Sequence, residues 1–202
     1  MQLPSFDAAD VVRQGFDLTA AVRSVCADMV ARLPELTHID LSRVAFTFRQ
    51  TRKASRWGVQ ATLTPLRFEG GELHSVRRGR RYAVQRVLDA HGMEMLYVLC
   101  VYLPRFMDHS FREKLVTLVH ELWHISPQFN GDIRRHAGRY HAHSHSQAEY
   151  DEQMGVLADR WVACQPPDAL WEFLRHDFRQ LAAIHGRIMG VRIPRPLLLP
   201  VQ

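Results

Sequence analysis

Ser110-Phe111-Arg112-Glu113-Lys114-Leu115-Val116-Thr117-Leu118-Val119-His120-Glu121-Leu122-Trp123-His124-Ile125-Ser126-Pro127 decides how the chain reads. Ser110, with Glu113 three residues on, forms a capping box. Leu115, Leu118 and Leu122 follow at helical spacing, and Pro127 stops the pattern near Ile125, so the stretch predicts a capped amphipathic helix. Inside it, His120-Glu121-Leu122-Trp123-His124 is an HExxH motif. At about 100° per residue, positions four apart return to one face, so both imidazoles project together and suit a shared tetrahedral ion. Glu121 is displaced sideways, placed to reach a metal-bound water without being a ligand. Zinc lowers the pKa of its water to about 7 and polarises a carbonyl, and a neighbouring carboxylate passes the proton to the leaving amine. The pattern predicts Zn2+ as cofactor, His120 and His124 as metal ligands, Glu121 as the catalytic base, and hydrolysis of a peptide or amide bond. Two histidines brought together by chance remain the bland reading, which the capped helical context disfavours.

A catalytic zinc usually takes three protein ligands and leaves one position open. Of the 12 histidines, seven fall between His109 and His145, and the third-ligand candidates are His136, His141, His143, His145 and Glu149. Asn130 stands where a metzincin needs its third histidine, which excludes that subclass. Glu149 suits a gluzincin, but Ser146 and Glu149 read as a second capping box that ties this carboxylate to backbone N–H. Arg134, Arg135 and Arg139 crowd His136 with charge that disfavours a neighbouring dication. In Tyr140-His141-Ala142-His143-Ser144-His145 the histidines alternate, so an extended backbone sets all three on one side. His143 ranks first as the third ligand and His136 second. Tyr140, Tyr150 and Arg139 are candidates for stabilising an oxyanion, none strong enough to join the catalytic set.

Outward from the motif, Asp17 caps a helix through Val22, Val25 and Met29 that Pro34 ends. Val44 to Phe48 and Trp57 to Leu63 alternate and read as strands. Arg81 to Leu88 and Glu94 to Leu103, joined by Asp89-Ala90-His91-Gly92, read as a hairpin. After the His-rich stretch, one helix buries Tyr150, Met154, Leu157, Trp161 and Cys164. Another, beyond Pro166-Pro167-Asp168, turns Leu170, Phe173, Leu174, Phe178, Leu181 and Ile184 to the core, and the Pro-rich tail from Gly186 is extended. The expected fold class is α+β. A small mixed or antiparallel sheet of three to five strands packs on the active-site helix, with additional N- and C-terminal helices. Residues 1–202 read as one domain, with a core over about 40–160 and C-terminal helices and tail over 147–202.

With 202 residues and 47% hydrophobic content, the chain can bury a core of its own. Cys26, Cys100 and Cys164 lie apart in apolar stretches and read as reduced core residues rather than a metal knuckle or a disulfide framework. Trp57, Trp161 and Trp171 fall at core positions. Neither a leader pattern nor an apolar run of spanning length is present, so the expectation is a cytoplasmic protein with no membrane partner. The net charge of +5 and the run Arg77-Arg78-Gly79-Arg80-Arg81 admit nucleic acid as a partner, against the plainer reading of a solvated loop.

Lys114 to Pro127, followed by Phe129-Asn130-Gly131-Asp132, resembles the HExxH zincin-type metallopeptidase family of phages and bacteria. Trp57-Gly58, Leu63-Thr64-Pro65-Leu66-Arg67-Phe68 and Tyr150-Asp151 extend the resemblance over about residues 40 to 160. More distantly the chain is similar to SprT-like and other minimal zincins, in which a short sheet precedes the active-site helix and an edge strand holds an extended substrate. That resemblance implies a zincin-like fold and a peptidase acting on protein or peptide. It carries over His120, Glu121 and His124 but no third ligand, and by analogy makes the strand ending at Leu103 the substrate edge.

Two other functions fit the same residues: a non-catalytic, metal-stabilised binding module, with nucleic acid at the basic loop as one partner, and a zinc amidase with a non-protein substrate. Glu121 separates the first from an enzyme, because a structural metal gains nothing from a carboxylate beside an open position. The ligand ranking predicts that His143→Ala weakens zinc binding by more than the roughly ten- to hundredfold cost of losing an outer-shell partner. Glu149→Gln should act mainly on helix stability. Competition against a zinc-chelating dye checks both, and a larger loss in His136→Ala would reverse the order.

Overall fold

Asp17 opens the first helix as its position predicts. In the computed structural model, which describes residues 15–51, 58–135 and 147–201, its carboxylate accepts the Ala20 N–H at 2.9 Å. A short strand, β1 (Phe16–Asp17), leads into α1 (Leu18–Arg32). Leu18, Val22, Val25, Cys26 and Met29 make its buried stripe, and Pro34 diverts the chain into a 3₁₀ turn. The chain continues through β2 (Val44–Gln50), β3 (Ala61–Pro65), β4 (His74–Arg77), β5 (Arg80–Val84), β6 (Tyr97–Leu103), α2 (Phe111–Trp123) and α3 (Gln147–Ala163). It ends with α4 (Asp168–Trp171), α5 (Phe178–His185), β7 (Ile188–Met189) and β8 (Leu198–Pro200). The class is α+β, as expected.

The central sheet runs β2-β6-β3, with β2 parallel and β3 antiparallel to β6. β6 is apolar from Tyr97 to Val101, the composition of a strand covered on both faces. Tyr97, Leu99, Val101 and Leu103 join the main core with residues of α1 and α2, while Val98 joins Leu66 and Met95 in a smaller cluster.

This arrangement corrects two expectations. Arg81–Leu88 and Glu94–Leu103 form no hairpin beyond a single bridge from Leu88 to Glu94, although Asp89 makes the expected turn by accepting the His91 and Met93 N–H groups. The competing hairpin is β4–β5. Its turn, Arg78-Gly79, has φ of 51° and 72°, both positive as a two-residue type I′ turn requires. With β4 on one edge of β5 and β8 on the other, β5 has no edge left for β6. The strand ending at Leu103 is therefore central, and the edge beside α2 is β3. The strand expected from Trp57 begins at Ala61, and Trp57 itself lies outside the described residues.

Toward the C-terminus, Met154, Leu157 and Trp161 of α3 are buried as expected, but Cys164 falls past the helix end and is exposed, unlike Cys26 and Cys100. Ser146 lies outside the described residues. The expected single last helix is broken between Trp171 and Phe178. Lys114, 1% exposed on α2, donates from Nζ to the Leu174 and His176 carbonyls at 2.9 and 2.7 Å, and Asp177 with Gln180 caps a fresh start at α5. That offset leaves Ile184 exposed rather than in the core. Among the described residues no helix is long and apolar enough to cross a membrane.

The tail is extended, as its prolines suggest. It crosses beside β2, where the buried Thr47 hydroxyl donates to the Val191 carbonyl and accepts the Ile193 N–H at 2.9 Å. Thr47→Val keeps the shape but orphans both tail groups, so it should cost on the order of 1–3 kcal/mol, while Thr47→Ser retains the pairing. Urea unfolding of the two variants checks this, and equal losses would show that the hydroxyl is not what holds the tail.

Candidate metal centre

The capping box at Ser110 fixes where α2 starts, and burial of Lys114, Leu115, Leu118, Val119 and Leu122 fixes its rotation. The last turn is then set with His120 and His124 half-buried, their ring centroids 4.6 Å apart and their planes at 77°. His120 lies within the helix and His124 is the C-cap residue, still with helical dihedrals. Two imidazoles one turn apart, partly shielded from water, match two corners of a tetrahedral nitrogen-donor site. Zinc fits this pair.

Glu121 turns from the same helical turn toward the sheet. It is 7% exposed, and burial pushes its carboxyl up to about 7, opposed by a hydrogen bond from the Leu63 N–H. The parity of β3 explains that bond. Tyr102 N–H donates to the Gln60 carbonyl and Leu66 N–H to the Leu96 carbonyl, so even-numbered residues pair inward and the Leu63 amide faces the outer edge. Among the described residues no strand pairs with that edge.

A helix end leaves carbonyls without partners, and Arg134 fills two of them. Its N–H donates to the His124 carbonyl at 2.7 Å and its Nε to the Trp123 carbonyl at 2.8 Å, while the guanidinium lies 4.1 Å over the Trp123 ring. An Ile125–Ile133 bridge continues the pairing. The connecting loop is held from below by Tyr97, whose hydroxyl donates to the Asp132 carbonyl at 2.8 Å and accepts the Gly131 N–H at 3.0 Å. Gly131 has φ of 86°, and a Cβ there would lie 2.5 Å from Arg67 Cγ, so only glycine fits. Asp132 accepts from the Gly70 and Ile133 N–H groups and from Arg135.

His120, Glu121 and His124 are thus brought to one turn. His136, His141, His143 and His145 lie outside the described residues, as do Arg139 and Tyr140, and nothing is described of the Glu149 and Tyr150 side chains. Among the described residues no group of three or more His, Cys, Asp or Glu gathers for a metal. The charge argument against His136 weakens, because Arg134 is engaged at Trp123 and Arg135 with Asp132 and Glu69. Sequence reasoning missed Leu63, Tyr97 and Arg134. Leu63 acts through its backbone, which no residue type reports, whereas Arg134 followed a Gly-Asp turn two residues behind it and offered at least the signal of a chain reversal. No family model matches this chain, and neither a curated protein nor a solved structure does.

Burial of Glu121 sets a pH dependence in metal-free protein. Its folded pKa, about 7, lies above the ordinary 4.5, so the folded state binds the proton more tightly and stability is lost as pH rises through 7. The loss amounts to about 3 kcal/mol at most. With chelator present, Glu121→Gln should be more stable than the parent at pH 8, by an amount that shrinks toward pH 5. Denaturant unfolding at both values checks it, and a parent that gains on the variant with rising pH would contradict the burial.

Proposed function

We propose that the chain is a zinc-dependent hydrolase of the HExxH class, acting as a peptidase. The observation that carries this reading is the single turn of α2 that sets the His120 and His124 rings together on a half-buried flank, with the buried Glu121 carboxyl between them in sequence. His120 and His124 would hold the zinc, with the third ligand sought first at His143 and then at His136. When bound, the metal supplies a Lewis acid and an acidified water. The Glu121 carboxylate would take a proton from that water and return it to the leaving amine. The Leu63 N–H favours the charged form of that carboxylate from the outer edge of β3, which puts the proton acceptor beside the strand edge. An extended substrate pairing with the outward carbonyls of β3 lays its backbone beside Glu121.

The open edge favours an extended peptide over a compact non-protein amide. A purely structural metal has no use for a carboxyl buried at a cost beside its ligands, which weighs against the binding-module reading. Glu121→Gln should keep zinc at the parent level and lose hydrolysis by roughly a hundred- to ten-thousandfold. Cleavage of unfolded proteins and a peptide library by zinc-loaded parent and variant, read by mass spectrometry, tests this. Equal cleavage by both, or none by the parent, counts against the enzyme.

A further inference from the structure

The arginine run between β4 and β5 plays no part in the proposed hydrolase. It is the turn of that hairpin, and Arg77, Arg78 and Arg80 have no carboxylate within ion-pair distance among the described residues. Beside it opens a cleft of about 700 Å³ into which Arg67, Arg77, Arg135 and Arg195 converge from four separate segments, together with the half-buried ring of Phe68. Arg67 is held by Glu94, and Arg135 by Asp132 and Glu69. Among the described residues Arg77 and Arg195 have no such partner, and the Arg77 guanidinium stands 5.9 Å over the Phe68 ring. Among the described residues, Glu72 is the one carboxylate lining the cleft without an ion pair.

We propose that this cleft and the adjoining turn bind single-stranded nucleic acid. The unpaired arginines hold phosphates, and Phe68 receives a base. Arg78, Arg80 and Arg81 carry the positive path past the mouth of the cleft, farther than one carboxylate or one phosphate reaches, which selects a repeating polyanion. An aromatic ring among the cations selects a strand with free base faces over a duplex, whose bases are stacked on each other, and over an acidic peptide, which has none. Sequence spacing hides this site because Arg195 lies far beyond the arginine run along the chain. The proposal does not depend on the hydrolase reading.

Fluorescence anisotropy of labelled oligothymidylate and oligouridylate of about twelve nucleotides, titrated with the full chain in chelator, tests it. A polyglutamate peptide of matching charge serves as the third probe. Four phosphate contacts predict that affinity falls about fiftyfold between about 50 and 200 mM salt. The exposed pair Arg77→Ala with Arg195→Ala should weaken binding at least about tenfold and reduce the salt slope by about 1.4, with the melting temperature unchanged. Phe68→Leu should weaken it about five- to hundredfold with the slope intact. Binding of polyglutamate as tight as that of the oligonucleotides overturns the proposal in favour of an acidic protein. No binding of either oligonucleotide at the lowest salt, or unaltered binding by the double arginine variant, also overturns it.

Discussion

Burial of one apolar face of α2 against the core sets the rotation of that helix, and the rest of the candidate site is arranged around it. With that face inward, Glu121 is buried while His120 and His124 are left on a half-buried flank. The Leu63 N–H, on the outer edge of β3, opposes the effect of that burial on the carboxyl. Because a hydrogen bond only partly offsets the cost of burying a carboxylate, the pKa stays near neutrality instead of returning to the carboxylate range. Placement and proton affinity thus have one origin.

Three supports keep α2 and its last turn in place, each from a different part of the chain. Buried Lys114 anchors α2 to the carbonyls of Leu174 and His176. Tyr97, at the start of β6, holds Gly131 and Asp132 beneath the loop that leaves the motif. Arg134 closes the helix end at the Trp123 and His124 carbonyls. A loss at any of these sites would reach the histidines through the backbone, without touching either imidazole.

The helix carrying the motif was legible because its signals are local: Ser110 and Glu113 at one end, leucines at helical spacing, and Pro127 beyond. The Asp17 cap and the Asp89 turn were legible for the same reason. Strand pairing was not, since it depends on which edges remain available. Arg81–Leu88 alternates well enough for a partner of β6, yet the Arg78-Gly79 turn and the returning tail occupy both edges of Arg80–Val84 first. The last helix failed similarly, because Lys114, some sixty residues earlier, binds the carbonyls at which it breaks. Of the site, the residue identities at 120, 121 and 124 could be read, while the backbone donor at Leu63 could not, and the alternating histidines from His141 to His145 gave periodicity without a position in the fold.

The central claim is that His120 and His124 hold a metal that Glu121 serves. Zinc stoichiometry of protein purified without added metal, measured by mass spectrometry of the elements for the parent and for His120→Ala and His124→Ala, tests it most directly. The account predicts about one zinc per parent chain and nearly none in either variant. A parent free of zinc, or variants that retain it at the parent level, would contradict it.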